Sequence, residues 1–452
     1  MKKIILILLI GAGALSSCEK LLEQESQSSI DAGTAYTTKE GIEAGIIGIY
    51  SNFQSSTYYG TDYTLLADLE ADNLTHTGSF PTYQEIKSRE INPDNFNTTA
   101  IWAVLYQGIN RANTVIDGAK ELSDPVFAKN TAIAEASFLR AYMYFDLMRF
   151  FGGDPSGYAS PTGQGVPLVL KPTFTVEDAV PVAKSTAKQV FDQINADLDF
   201  AIANLPGNNG TGRATANAAI ATKARVALYL NNFSTAENLA TQIINQFSNA
   251  TAYGGLAESY SSIYINKNVK PESIFELQFS STNASGLYFF YFGRYEVATS
   301  SSLLAAHKPG DLRLPVNYFK FVGTTGTLKY SKADGTDNVL LIRLAELYLI
   351  RAESRVRKAT PNIPGAAADI NVVRDRAGLG PTTAATAADM LTAVLQERRV
   401  ELAHEAHRWF DLRRTGLAAS FFGISDARKV LWPVPQQEVL NSGGVIVQNP
   451  GY

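Results

Sequence analysis

LIRLAELYLIRAESRVRK, residues 341–358, decides the fold class. Leu341, Leu344, Ala345, Tyr348, Leu349 and Ala352 stand at i, i+3, i+4, i+7, i+8 and i+11, one apolar face of a helix. GAAADINVVRDRAGL (365–379) follows, with small residues that let a second helix lie close against the first. The same pairing occurs earlier, in ATKARVALYLNN (221–232) and STAENLATQIINQF (234–247). There Ala236, Leu239, Ala240, Ile243, Ile244 and Phe247 repeat the template step for step. Phe191, Ile194, Leu198, Ala201, Ile202 and Leu205 predict a further helix, stopped by Pro206 and Gly207. Alanine-rich seams in successive helical hairpins predict a mostly α protein built of tetratricopeptide-like repeats.

Around these repeats lie segments of another composition. Residues 249–335 are rich in Gly, Ser, Thr, Asn and Tyr with weak periodicity, and 53–99 and 152–181 read as further loop-rich insertions. Loops on a rigid scaffold are where binding residues concentrate. The N-terminus has a separate logic. MKK is a basic head, residues 4–15 are apolar, and Leu15-Ser16-Ser17 precedes Cys18, the only cysteine. This order predicts a secretory signal over 1–17, a lipidated Cys18 and a polar tether over 18–30. An ordinary signal peptide with an incidental cysteine is the alternative. One cysteine excludes a disulfide framework, a redox pair and a cysteine metal site. A net charge of −4 without a basic cluster gives no nucleic-acid footprint, and no later apolar run is long enough to span a bilayer. The remaining chain divides into 31–248, 249–335 and 336–452.

Several stretches suggest chemistry. In HEAHRWFDLRR (404–414) the histidines are three apart, not the four a zincin helix needs. His404, His407 and Asp411 could share a helix face and hold a metal weakly. The flanking apolar residues favour a packed helix instead, with Arg398–Glu401, Glu405–Arg408 and Asp411–Arg414 paired along it. DLEADN (68–73) starts like a calcium loop but lacks its glycine and distal glutamate. Its acids serve either polar recognition of a ligand or helix-end capping. GLYFFYFGRYE (286–296) reads as a buried strand with Phe290 and Phe292 in the core. Tyr288, Tyr291 and Tyr295 are its surface candidates, because a buried phenol must find a partner. TYYGTDY (57–63) is better hydrated and reads as a rim. Dinucleotide, P-loop and serine-hydrolase signatures have no usable context.

Further motifs form an ordered series: LSSC (15–18), IWAVLYQGINRANTVI (101–116), AEASFLRAYMYFDLMRFFGG (134–153), IRLAELYLIRAES (342–354) and INVVRDRAGL (370–379). QERRVELAHEAHRWFDLRRTG (396–416) and LWPVPQQEVLNSGGVIVQNPGY (431–452) close it. Together they resemble the SusD/RagB family of Bacteroidetes outer-membrane lipoproteins. The resemblance implies four tetratricopeptide-like helix pairs under a loop-rich ligand-binding portion. It also implies a SusC-like TonB-dependent transporter as partner, an outer-membrane position facing the exterior, capture of an oligosaccharide, and no catalysis. No cofactor is implied, and the sequence does not support a structural calcium. Trp102, Trp409 and Trp432 all fall in scaffold motifs, so a sugar-stacking platform must use Tyr or Phe. The expected ligand contacts are Tyr58, Tyr59, Tyr63, Asp72, Asn73, Tyr83, Tyr288, Tyr291, Arg294 and Tyr295. Peptide cargo, a surface glycosidase using Asp68 and Asp72, and a pure protein-interaction scaffold are the alternatives.

Overall fold

The computed structural model describes residues 35–249, 255–265 and 272–452. The expected signal peptide, Cys18 and the tether lie outside the described residues. The major helices are α1 (Lys39–Phe53), α2 (Asp62–Glu70), α3 (Pro81–Ser88), α4 (Phe96–Glu121), α5 (Lys129–Phe151) and α6 (Ala187–Asn204). They continue with α7 (Ala216–Tyr229), α8 (Phe233–Asn249), α9 (Leu344–Arg357), α10 (Ile363–Arg376), α11 (Ala387–Glu401) and α12 (Arg408–Arg414). Each long helix packs on its predecessor: α4 on α1, then α5, α6, α7, α8, α9 and α10 in succession, with α11 returning onto α9. The two hairpins visible in the sequence are therefore neighbours, joined where α8 meets α9. Their alanines form the predicted seam: Ala218, Ala224, Ala236, Ala240, Ala345, Ala352 and Ala366 are fully buried. Thr186 begins α6 with a reciprocal capping box to Gln189, and the helix ends before Leu205 and Pro206 as predicted.

Short strands sit on this scaffold in two-stranded antiparallel pairs: β1 (Leu74–His76) with β5 (Val297–Thr299), β2 (Gln164–Pro167) with β3 (Lys184–Thr186), β4 (Ser273–Leu277) with β8 (Val339–Arg343), and β6 (Phe319–Phe321) with β7 (Thr324–Gly326). The structure corrects four expectations. Leu341 belongs to β8 and α9 begins at Leu344, because VLLIR is buried along its whole length and an apolar run without alternation is ambiguous between helix and strand. Residues 53–99 contain α2, α3 and β1 rather than loop alone; α2 is buried at eight positions and so lacks the polar face that reveals a helix. Residues 289–293 form a single π-helical turn, not a strand, closed by Arg294 N–H donating to Phe289 O. It buries Tyr291 and Phe292 and exposes Phe289.

The fourth correction concerns HEAHRWFDLRR. The helix breaks after Glu401, with His404 and Ala406 at φ 63° and 58°, and resumes at Arg408. His404 and His407 therefore share no helix face. Asp411–Arg414 is the one expected pair that forms, at 2.8 Å. Arg398 pairs with Asp411 at 2.9 Å, and Glu401 takes Arg343, Arg313 and Arg376 from three other segments. Glu405 takes Lys329 at 2.5 Å and Arg343 at 2.9 Å. This buried network ties the insertion to the helical scaffold. No helix among the described residues is long and apolar enough to cross a membrane.

Candidate ligand-binding site

Two short ribbons meet over the scaffold. β1 and β5 align Leu74 with Thr299, Thr75 with Ala298 and His76 with Val297. The β6–β7 hairpin turns through Val322 and Gly323, where φ of 81° at the second turn residue demands glycine. Thr325 Oγ1 donates to Thr299 O at 2.9 Å and fastens the hairpin to β5. Beneath it, a Cβ on Gly326 would stand 2.3 Å from Phe292 Cζ, so only glycine lets the hairpin lie this close to the π turn.

Tyr295 connects the π turn to β5 in the left-handed region, at φ 57°, a costly conformation for a tyrosine. Its neighbours impose it. Thr77 Oγ1 donates to Tyr295 O at 2.7 Å, and Glu296 N donates to Phe290 O at 2.9 Å. The buried Glu296 carboxylate accepts from Phe80 N at 2.7 Å and Arg294 Nε at 2.8 Å, and meets His76 Nε2 at 3.0 Å. Burial would raise its pKa, but these hydrogen bonds and the Arg294 charge hold it below the usual carboxylate range. Arg294 also lies over the Phe80 ring at 4.0 Å. The tyrosine is thus held in place before any ligand arrives.

Between the ribbons opens a cavity of about 540 Å³ lined by Thr77, Tyr295, Ala298, Lys320, Phe321, Gly323, Thr324 and Thr325. Tyr295 and Phe321 are each 40% exposed. Two accessible aromatic rings beside hydroxyl groups and an ammonium suit a flat, hydroxylated ligand: rings stack, polar groups orient.

Of the residues expected from the sequence, Tyr295 lines this cavity, exposed Arg294 flanks it, and Tyr288 is half-buried nearby, its ring 5.3 Å from that of Phe292. The others are corrected, because each is engaged by the scaffold. Tyr58, Tyr59 and Tyr63 donate to the single carboxylate of Asp146 at 2.5, 2.8 and 2.8 Å, and none presents a ring to solvent. Tyr83 donates to Asp62 at 2.8 Å. Tyr291 meets His404 Nδ1 at 2.8 Å. Asn73 is buried and donates to Asp68 at 2.7 Å. Asp72 bridges Arg399 at 2.8 Å and Arg408 at 3.0 Å; burial opposes its ionisation, but the two guanidinium groups keep it ionised below the usual range.

The sequence reading missed Thr77, Lys320, Phe321, Thr324 and Thr325. For Lys320, Phe321, Thr324 and Thr325 the signal was FKFVGTTG (319–326), an alternating run around Val-Gly that reads as a hairpin with an aromatic on its outer strand, whereas Thr77 had none. All three tryptophans are buried in the scaffold. The acids of DLEADN turn apart: Asp68 toward Asn73 and Ala406 N, Glu70 toward Trp432 Nε1, and Asp72 toward its arginines. Among the described residues no cluster of three His, Cys, Asp or Glu side chains could hold a metal.

Comparison with known proteins adds the family. The profile described as "Starch-binding associating with outer membrane" matches residues 20–228, and that of the SusD family matches 315–428. The chain belongs to the SusD/RagB family. SusD-like protein P38 of Formosa agariphila is 26% identical over 95% of this chain and 94% of its own. A SusD superfamily protein from Bacteroides vulgatus superposes with a TM-score of 0.79 at 24% identity, covering 92% of this chain and 99% of that one. A solved laminarin-binding SusD-like protein gives a TM-score of 0.75 at 24% identity, covering 91% and 99%. SusD proteins bind ligands and catalyse no reaction, in keeping with an Asp68 that is wholly buried and an Asp72 held by two arginines.

Proposed function

We propose that the protein captures an oligosaccharide at the outer surface of the outer membrane and delivers it to a SusC-like TonB-dependent transporter. The single observation carrying this reading is the cavity between the two ribbons, where Tyr295 is held rigidly in a strained conformation beside the exposed Phe321. Such strain persists where the surroundings over-determine it, and pre-organised rings lose little entropy on binding. The family description as starch-binding and outer-membrane-associated supports the cargo class and the location, and a laminarin-binding relative of the same fold supports a glycan. The lipid on Cys18 would supply the membrane anchor. The transporter partner rests on family membership alone.

Titration calorimetry of residues 19–452 against plant, host and microbial oligosaccharides, with mixed peptides alongside, tests the cargo. Binding without cleavage to one sugar class is expected, weakened at least about fivefold by Tyr295→Ala or Phe321→Ala, since stacking and burial of one ring contribute about 1–3 kcal/mol. Heat from peptides and none from sugars would transfer the same site to peptide cargo. Binding indifferent to both substitutions would remove the cavity from the account.

A further inference from the structure

The cavity has an electrostatic sign that its family does not dictate. Lys320 is its one charged lining residue. It is exposed on β6, with its registered partner Thr325 across the hairpin. Among the described residues it enters no ion pair. Glu296, which immediately precedes β5, is buried and already accepts from Arg294 and Phe80 N. Arg294, which flanks the cavity, is paired with Glu296 at 2.8 Å. Lys320 thus stands uncompensated in a chain whose net charge is −4.

The hydroxyls beside it do not supply a second polar anchor of equal strength. Thr77 Oγ1 and Thr325 Oγ1 already donate to backbone carbonyls at 2.7 and 2.9 Å, leaving them as acceptors. The strongest free donor in the cavity is the Lys320 ammonium, and a charge-assisted hydrogen bond is about twice as strong as a neutral one. The aromatic rings supply affinity for any pyranose; the ammonium discriminates.

From this we infer that the site selects anionic oligosaccharides, with Lys320 pairing with a uronate carboxylate or a sulfate ester while Tyr295 and Phe321 stack on the ring that bears it. The inference rests on the glycan reading of the same cavity. Matched probes separate the two: tetraglucuronate against cellotetraose, tetramannuronate against mannotetraose, and a sulfated galactan oligomer against its desulfated form. The first two pairs test the carboxylate and the third the sulfate.

The acidic member of one pair is expected to bind at least about tenfold tighter, with the advantage shrinking as salt is raised. Lys320→Gln should bring that ratio close to one, and Lys320→Glu should invert it. Equal affinities within every pair, or a ratio untouched by Lys320→Gln, would overturn the charge selection, while a Tyr295→Ala variant that still weakened binding would leave the site standing. No binding by any acidic probe at millimolar concentration would also overturn it. Binding of both members unaffected by Tyr295→Ala would sink the cavity reading itself.

Discussion

His404 shows how far a residue's setting can override its type. Its side chain is wholly buried, Nε2 lies 2.8 Å from Asn317 O and Nδ1 2.8 Å from the Tyr291 hydroxyl. Asn317 O can only accept, so Nε2 carries the proton and Nδ1 accepts from Tyr291. Burial, reinforced by the Lys329 charge, pushes the imidazole pKa down to about 3. The folded pKa lies below the unfolded value of about 6.5, so this histidine contributes stability above pH 6.5 that is lost as pH falls toward 3. Between pH 7 and pH 5 its contribution falls by about 2 kcal/mol. Asp68 works in the opposite sense: burial raises its carboxyl to about 7, so its contribution declines as pH rises from about 4 through 7. Urea midpoints of wild type and His404→Asn at pH 7 and pH 5 isolate the histidine, because Asp68 is common to both. The wild type should lose about 2 kcal/mol more than the variant on acidification; an equal loss in both would mean His404 is not held neutral. Reading the sequence could exclude the zincin motif from the histidine spacing. It could not see that positive φ at His404 and Ala406 would end the helix and send each charge to a distant partner.

At the scale of elements, legibility followed periodicity. α6 and α8 were readable because each has one apolar and one polar face, and α9 because its apolar residues keep helical spacing although most of the helix is buried. α2 was not, since nearly all of it is buried, and β8 was not, since a strand buried on both faces does not alternate. The tyrosines of TYYGTDY looked hydrated because phenols are polar; Asp146, contributed by α5, satisfies all three inside the core. No local pattern could announce that convergence. The proposed ligand site shares this difficulty, being assembled from Thr77, Tyr295 and the 319–326 hairpin. The hairpin's fit onto the π turn is nevertheless testable. Gly326→Ala places a methyl against Phe292, so either the ring or the hairpin must move. Amide exchange over 319–326 should accelerate and glycan affinity should fall several-fold, with the global unfolding free energy lowered by about 1–3 kcal/mol at most. Unchanged exchange in the hairpin with full affinity would show that the packing is slack and does not position Phe321.

For the whole molecule, the division of labour is between a scaffold of stacked hairpins and a surface assembled from short ribbons. The scaffold's seams and family motifs were visible along the chain. The surface was not, because its short ribbons are assembled from segments far apart in the chain and carry no helical or repeat periodicity. Arg343, Glu401, Glu405, Lys329 and Arg313 lock the two parts together in the interior, where loss of one partner would leave buried charges unpaired. That rigidity makes a localised response to ligand the expectation. The central claim is that cargo binds between Thr77, Tyr295 and the β6–β7 hairpin. Hydrogen–deuterium exchange of the protein with and without its bound oligosaccharide tests it most directly. Protection confined to residues 76–80, 289–298 and 319–326 is the predicted result; protection elsewhere, with these segments unchanged, would contradict it.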